Sequence, residues 1–288
     1  MEGTISIIIP NLHSPIIDQV IAALTVQTAP ALEIIVVGQD RYGLVPTDVT
    51  FIQTERPISA AAARNLGARH AHGEYLLFID SDCLACPQLI ERLSICHIYG
   101  KHIIGGGVAP ESNSYWSYCD NLLVFADVLN TATAGERALL PSLNLSMPRG
   151  IFLELGGFDE RYPGAAGEDL DLSLRLRAAG YHLHFEPGAW VAHQPQRADA
   201  RSVWEHLRGF GRAHVRVQQQ HAAMMPSPIQ NLSQHWAPAL RIAAPFLAAL
   251  DILGLWLMNP FMPYWTIPAM IWAKSGWYWG VADALSAK

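Results

Sequence analysis

Tyr75-Leu-Leu-Phe-Ile-Asp-Ser-Asp-Cys83 is the stretch on which the reading of this chain turns. An apolar run of strand character follows Gly73 and breaks off in two carboxylates, Asp80 and Asp82, with only Ser81 between them. A buried strand that delivers Asp-x-Asp to its carboxyl end sets hard oxygen ligands at the edge of an open α/β sheet, where ligands bind. Such a pair suits Mg²⁺ or Mn²⁺ held together with substrate phosphates. An acidic turn after a strand would look the same, since Asp and Ser are ordinary turn formers.

Upstream, Thr4-Ile-Ser-Ile-Ile-Ile9 reads as a buried parallel strand stopped by Pro10 and Asn11. Ser14-Pro15 then suggests a helix cap and first turn, with Ile17, Val20, Ile21 and Leu24 at helical spacing. Glu33-Ile-Ile-Val-Val37 and Thr50-Phe-Ile-Gln53 read as the next strands, at the spacing of βαβ units. Ser59-Ala-Ala-Ala-Ala-Arg-Asn-Leu-Gly67 is a capped helix leading into the acidic strand. Its Arg64 and Asn65 are either a solvated ion pair and amide or contacts to a nucleotide or phosphate.

Downstream, Pro87 to Tyr99 is a helix, and His102-Ile-Ile-Gly-Gly-Gly-Val108 a strand whose glycines mark a close approach. Residues 111–147 give no clean period and are expected to be helices and loops flanking a site. After Gly156-Gly-Phe-Asp-Glu160 and Pro163-Gly-Ala-Ala-Gly167 comes Glu168-Asp-Leu-Asp-Leu-Ser-Leu-Arg-Leu-Arg-Ala-Ala-Gly180. Its leucines alternate like a strand. Acids in the first turn, arginines in the last and a terminal glycine nevertheless predict a helix. Glu168 and Asp169 at its start are either dipole partners or site residues. Tyr181 to Phe185 and Trp190 to His193 read as strands, and His193 becomes a plausible ligand beside a metal.

The chain has 288 residues, 51% of them apolar, and a formal charge of −6, which allows a sizeable core and excludes a general nucleic-acid binder. Its four cysteines are too few for a disulfide framework and fit a reducing, cytoplasmic compartment. Cys83-Leu-Ala-Cys86 resembles half a zinc site or a redox pair, but no second such spacing follows. The N-terminus lacks the features of a signal peptide. Residues 200–220 predict an amphipathic helix with Arg201, Arg208, Arg212 and Arg216 on one face, either a membrane-surface element or a packed helix. Residues 236–279 are apolar and Trp-rich, interrupted by Asp251, Pro260, Pro263 and Pro268. An apolar hairpin in or on a bilayer is expected, with Trp256, Trp265, Trp272, Trp277 and Trp279 as an interfacial belt; a helical pair packed on a partner chain is the alternative.

These motifs, taken in order, resemble the inverting family 2 glycosyltransferases: the first strand ending at Pro10, Ala-Arg-Asn-Leu-Gly67, Ile-Asp-Ser-Asp-Cys83, Gly-Gly-Phe-Asp-Glu160, Gly-Glu-Asp-Leu-Asp-Leu172 and a later His. The resemblance covers roughly residues 4–220. It implies an α/β, Rossmann-like GT-A fold with a mainly parallel sheet, to which composition adds a C-terminal apolar helical region. On both grounds the chain divides into a catalytic domain over 1–199, a basic amphipathic helix and linker over 200–235, and a membrane-associated or partner-packing region over 236–288. The resemblance further implies Asp82 as main metal ligand, Asp80 near the donor ribose or the metal, and His193 as a further ligand. Asp169 matches the catalytic base with Glu168 beside it, Arg64 and Asn65 the donor contacts, and Asp40 the acid that contacts the base. The partners implied are a nucleotide-sugar donor, an acceptor glycan, lipid or small molecule, and Mn²⁺ or Mg²⁺. Asn11-Leu-His13 and Gly38-Gln-Asp40 depart from the family's usual Thr-Tyr-Asn and Asp-Asp-Gly-Ser, both in the nucleobase pocket. No Gln-x-x-Arg-Trp motif of processive synthases is present, which favours transfer of a single sugar. Two other classes share some of these features. A nucleotidyltransferase would carry a Gly-rich basic loop after the first strand, and a non-catalytic scaffold would not need Asp82 or Asp169.

Overall fold

The Ile-rich run near the N-terminus forms β1 (Ile5–Leu12), and Pro10 does not end it. In this computed structural model, which describes residues 3–112, 114–162, 166–225, 232–259 and 262–287, β1 stays in parallel register with β2 (Glu33–Gln39) through Pro10↔Val37 to Leu12↔Gln39. Residues 163–165 of the glycine-rich loop, and Pro260, lie outside the described residues. α1 (Ile17–Thr25) starts later than the Ser14-Pro15 cap predicted, and its N-cap position is Ile16 with no side-chain bond. Ser14 is used elsewhere, as shown below.

β3 (Thr50–Gln53), α2 (Ala60–His70), β4 (Tyr75–Ile79) and α3 (Leu89–Ile98) follow the sequence reading, and Ser59 caps α2 by accepting the Ala62 N–H. The next strands change the sheet. β5 (Cys83–Ala85), β6 (Ile103–Ala109), β7 (Gly135–Glu136), β8 (Asn144–Pro148) and β9 (Leu183–His193) complete an order β3-β2-β1-β4-β8-β6-β9-β5, with β7 also on β9. The sheet is therefore mixed rather than mainly parallel. β1, β2, β3 and β4 pair in parallel, as do β6 and β9, but β4–β8, β6–β8, β5–β9 and β7–β9 are antiparallel. The two predicted strands after Tyr181 are one element, carried across Pro187-Gly188 by a register shift opposite Gly106 and Val108. The close approach at the β6 glycines is made by the chain itself: a side chain at Gly106 would strike the Ala189 carbonyl and Asn144.

The α/β unit spans residues 1–111 and 125–194. Its core is the Ile, Leu and Val of the strands with Phe78, Phe152 and Phe158, whose rings meet at 5.0–5.4 Å. α5 (Arg149–Glu154) and α6 (Glu168–Ala178) complete it, and α6 is a helix despite its alternating leucines.

The second unit, residues 112–124 and 195–288, is helical: α4 (Tyr115–Val124), α7 (Ala200–Gln220), α8 (Ala237–Met258) and α9 (Ile267–Ser286). Of the two helices of the expected apolar hairpin, α8 is, among the described residues, the one long and apolar enough to cross a membrane. α9 is a packed helix whose Gly276 and Gly280 let it lie against the Trp204 and Arg208 carbonyls of α7. Trp265, Trp272, Trp277 and Trp279 of the expected belt make ring contacts within this unit, although Trp265 and Trp272 stay exposed and Trp256, Trp277 and Trp279 half-buried. Trp204 meets Trp272 at 4.6 Å and Trp279 at 5.9 Å, Trp265 stacks on Tyr118, and Trp277 meets His214. Two arginines of the α7 face are committed, because Arg208 and Arg212 join Arg241 of α8 on Asp283 of α9 at 2.7–3.0 Å. Burial alone would raise the Asp283 carboxyl, but the three guanidiniums hold it down at about 2. Asp251, which counted against an apolar segment, pairs with Lys274 and accepts from the Tyr278 hydroxyl at 2.8 Å.

Candidate active site

The end of β4 makes a tight turn. The Cys83 N–H donates to the Asp80 carbonyl at 3.1 Å, and the chain then enters β5, which lies antiparallel to β9. The turn is tied from outside by Ser14, whose hydroxyl donates to the Ser81 carbonyl at 2.6 Å, and Ser14 is itself held by its N–H on the Asn11 carboxamide. Sequence reading took Ser14 for a helix cap. A serine after a strand end has no local signal that separates the two uses.

The β5–β9 ladder sets Cys83 opposite His193. As a result His193 Nε2 lies 3.6 Å from Asp82 Oδ2, and ligand atoms of Asp82, Cys83 and His193 all fall within 4.8 Å of one another. The His193 ring is buried and meets the Phe125 ring edge-on at 5.2 Å. A carboxylate and an imidazole at that separation fit a divalent cation that completes its shell with phosphate oxygens and water. Cys83 was absent from the ligand set expected from the sequence, because the sequence pairs it with Cys86. Burial first, then the charges of Asp82 and Asp80, push its thiol well up, so without a cation it stays protonated.

Asp80 is placed differently. Its Oδ1 accepts from Arg64 Nη2 at 2.5 Å, while Arg64 Nη1 donates to Glu168 Oε1 at 3.1 Å. One buried guanidinium thus joins the acidic end of β4 to the acidic start of α6. Burial opposes the Arg64 charge, but Asp80 and Glu168 more than offset it and raise its pKa. Asn65, one residue on, clamps the glycine turn between α5 and α6. Its Nδ2 donates to the Phe158 carbonyl at 2.8 Å and to Glu160, and its Oδ1 accepts the Phe158 N–H. Gly157, at φ +69°, has no room for a side chain because of that carboxamide. From the other side Arg175, paired with Asp171, donates to the Leu155 and Gly157 carbonyls. Asp40 closes its own loop by accepting the N–H groups of Tyr42 and Val45.

Glu168 and Asp169 open α6 behind Gly167. Glu168 is buried, with Oε2 lacking a hydrogen-bond partner. Burial, then the charge of Asp169, lift its carboxyl to about 7 against the pull of Arg64. Asp169 is half-buried and also raised by desolvation, opposed by the Leu170 N–H, which donates to its Oδ1 at 2.8 Å, and by Arg64. The folded protein therefore holds the Glu168 proton more tightly than the unfolded chain does. Its stability contribution is complete below the ordinary value of 4.5 and is lost as pH rises through about 7. Glu168→Gln should remove that loss. Thermal melts of the variant are expected to run flatter across this window and to end up to ~3 kcal/mol more stable on its alkaline side. A wild-type profile with no decline there would contradict the raised value.

Residues 6–94 match the family model described as "Glycosyl transferase family 2". The chain is 26% identical over 256 residues to a validoxylamine A glucosyltransferase of Streptomyces hygroscopicus subsp. limoneus, covering 73% of this chain and 56% of that one. It is 28% identical over 156 residues to a pre-mycofactocin glycosyltransferase of Mycobacterium tuberculosis, covering 51% and 32%. The chain thus spans little more than half the first relative's length, and less of the second. Among solved structures it is similar to the mannosyltransferase PcManGT of Pyrobaculum calidifontis in complex with GDP-Man and Mn²⁺. The TM-score is 0.60 at 19% identity, over 95% of this chain and 86% of that one. It is also similar to GalNAc-T7 with UDP, GalNAc and Mn²⁺, with a TM-score of 0.55 at 14% identity, over 78% and 52%.

Proposed function

We infer, from a chain that residues 6–94 place in glycosyl transferase family 2 and that has the GT-A type of α/β fold, that it moves one sugar from a nucleotide-diphosphate sugar to an acceptor hydroxyl with inversion. The observation that carries this reading is the Arg64 bridge. It brings the Asp80–Asp82 turn and the Glu168–Asp169 helix start to one guanidinium, while His193 stands beside Asp82.

Asp82 and His193 would hold a divalent cation, which when bound neutralises the diphosphate and improves it as a leaving group. Asp169 takes the proton of the acceptor hydroxyl as that oxygen attacks sugar C1 from the face opposite the diphosphate. The bond from C1 to the diphosphate oxygen breaks, its electron pair leaving with the nucleotide, and the anomeric configuration inverts. Desolvation raises the Asp169 carboxyl and so strengthens it as a base. Glu168, raised to about 7, carries its proton on the acid side of that value and there spares Asp169 a second negative charge alongside. Arg64 keeps the two acidic segments in fixed relation and lowers the reorganisation needed as charge moves.

Incubation with a panel of UDP-, GDP- and dTDP-sugars and Mn²⁺, reading slow hydrolysis, tests this reading and reports the donor. Turnover of none would remove it, and release of pyrophosphate from nucleotides instead would favour a nucleotidyltransferase. In calorimetry, Asp82→Ala should abolish the Mn²⁺ dependence of nucleoside diphosphate binding, a loss of about 10–100-fold in affinity. An unchanged metal dependence would exclude Asp82 as a ligand.

We also propose that α8 attaches the chain to a membrane surface. What supports this is α8 alone: Gln234–Met258 is long and apolar enough to cross a membrane. Ile242, Phe246, Leu250, Leu253 and Leu257 form an exposed stripe along it. Phe246→Glu with Leu250→Glu should end co-flotation with phospholipid vesicles. Flotation as before would place the attachment elsewhere.

A further inference from the structure

No step above uses the Cys83 thiol. Cys83 and His193 are direct partners in the antiparallel β5–β9 pair, so their side chains share one face of the sheet. Asp82 immediately precedes, and its carbonyl accepts the Gln194 N–H at 2.8 Å, which locks the same two segments one position further along. Backbone pairing on both sides therefore holds a carboxylate, a thiol and an imidazole within 4.8 Å of one another. Cys83 is fully buried, whereas the Asp82 side chain is 25% exposed, so the cluster opens to solvent on the carboxylate side. Cys86 takes no part: its thiol points to the Gly188 carbonyl at 3.6 Å.

A carboxylate with an imidazole is a hard-to-borderline donor pair, and a thiolate beside them is soft. The three-donor set prefers Zn²⁺ to Mn²⁺ or Mg²⁺, and it leaves a fourth tetrahedral position for water or a phosphate oxygen. We propose that Asp82, Cys83 and His193 form a three-ligand site for a cation of the Zn²⁺ class, which competes with Mn²⁺ or Mg²⁺ for the same carboxylate and imidazole. This rests on the reading of Asp82 and His193 as cation ligands and adds Cys83 to it. On binding, a metal–sulfur bond forms, the S–H bond breaks and the proton leaves to solvent, with no change of oxidation state. The site thereby carries a built-in sensitivity to the ratio of zinc to manganese.

Co²⁺, the spectroscopic stand-in for Zn²⁺, tests this on the full chain. Titration should develop a thiolate-to-cobalt charge-transfer absorption that saturates at one equivalent and is bleached by Zn²⁺. C83S should bind Co²⁺ without that absorption, and its preference for Zn²⁺ over Mn²⁺, from competition calorimetry, should fall at least about tenfold. Circular dichroism checks its fold, with C83A as the second variant. Co²⁺ binding that depends on Asp82 but shows no such absorption, or an absorption that survives in C83S and C83A, would overturn the role of Cys83 and leave the Asp82–His193 reading standing. If neither Co²⁺ nor Mn²⁺ binding responds to Asp82→Ala, both fall together.

Discussion

Asp169→Asn is expected to lower turnover by about 10²–10⁴-fold while leaving Mn²⁺-dependent nucleotide affinity unchanged. The amide keeps the size of the side chain and can still accept the Leu170 N–H seen at 2.8 Å, so the start of α6 should hold its shape. What it loses is the capacity to take a proton. Steady-state kinetics with the donor found in the panel, alongside calorimetry with the matching nucleoside diphosphate, separates the two effects. Glu168→Gln is the necessary companion, since the two acids are neighbours and both are raised. If Asp169→Asn turns over normally and Glu168→Gln does not, the base is Glu168, whose unpartnered Oε2 would then face the acceptor.

Arg64→Met should cost the α/β unit about 3–5 kcal/mol at neutral pH, because it strands a buried charge network without its cation. Methionine fills much of the volume and preserves packing near the Phe158 ring, which the guanidinium faces at 5.4 Å. The loss is therefore electrostatic. It should shrink in acid, where Glu168 protonates and no longer needs the cation. Urea melts on both sides of the Glu168 titration measure this directly. An equal loss at both pH values would mean that Arg64 matters for packing alone. Arg64→Lys should recover only part of the stability, since one ammonium cannot reproduce the two-armed bond to Asp80 and Glu168.

The first half of the sheet was legible because β1 and β2 carry runs of buried β-branched residues, β4 a run of buried apolar ones, and Ser59 caps the helix that leads into it. α6 was legible for a different reason. Its leucine alternation pointed to a strand, while the charge gradient, Gly180, the i,i+4 leucine pairs and the lack of β-branched residues pointed to a helix. β8 was hidden because a central strand is expected to be apolar, yet Asn144 and Ser146 sit fully inside. Ser146 is satisfied there by the Leu76 carbonyl and His97, and Asn144 Nδ2 donates to the Gly107 and Ala189 carbonyls while its Oδ1 is left without a partner. β5 is too short to show a period. The site divided along the same line. That Asp82 and His193 come together was expected from motif order, but the Arg64 bridge, the Ser14 tether and the Cys83–His193 pairing join residues far apart in sequence, and no local pattern encodes them. In the C-terminal unit, the partners of Asp251, Arg208 and Arg212 lie on other helices, which no local pattern shows.

The pairing of β5 with β9 also dictates how this family of chains can vary in length. A single residue inserted between Ala189 and His193 would reverse the parity of the strand, presenting Ala192 to Cys83 and turning the imidazole to the other side. Such an insertion would abolish the proposed cation pocket without altering one of the residues assigned to it, whereas a bulge further up, where Pro187 and Gly188 already break the ladder, could absorb it. Viable insertions in this strand should therefore cluster at that break.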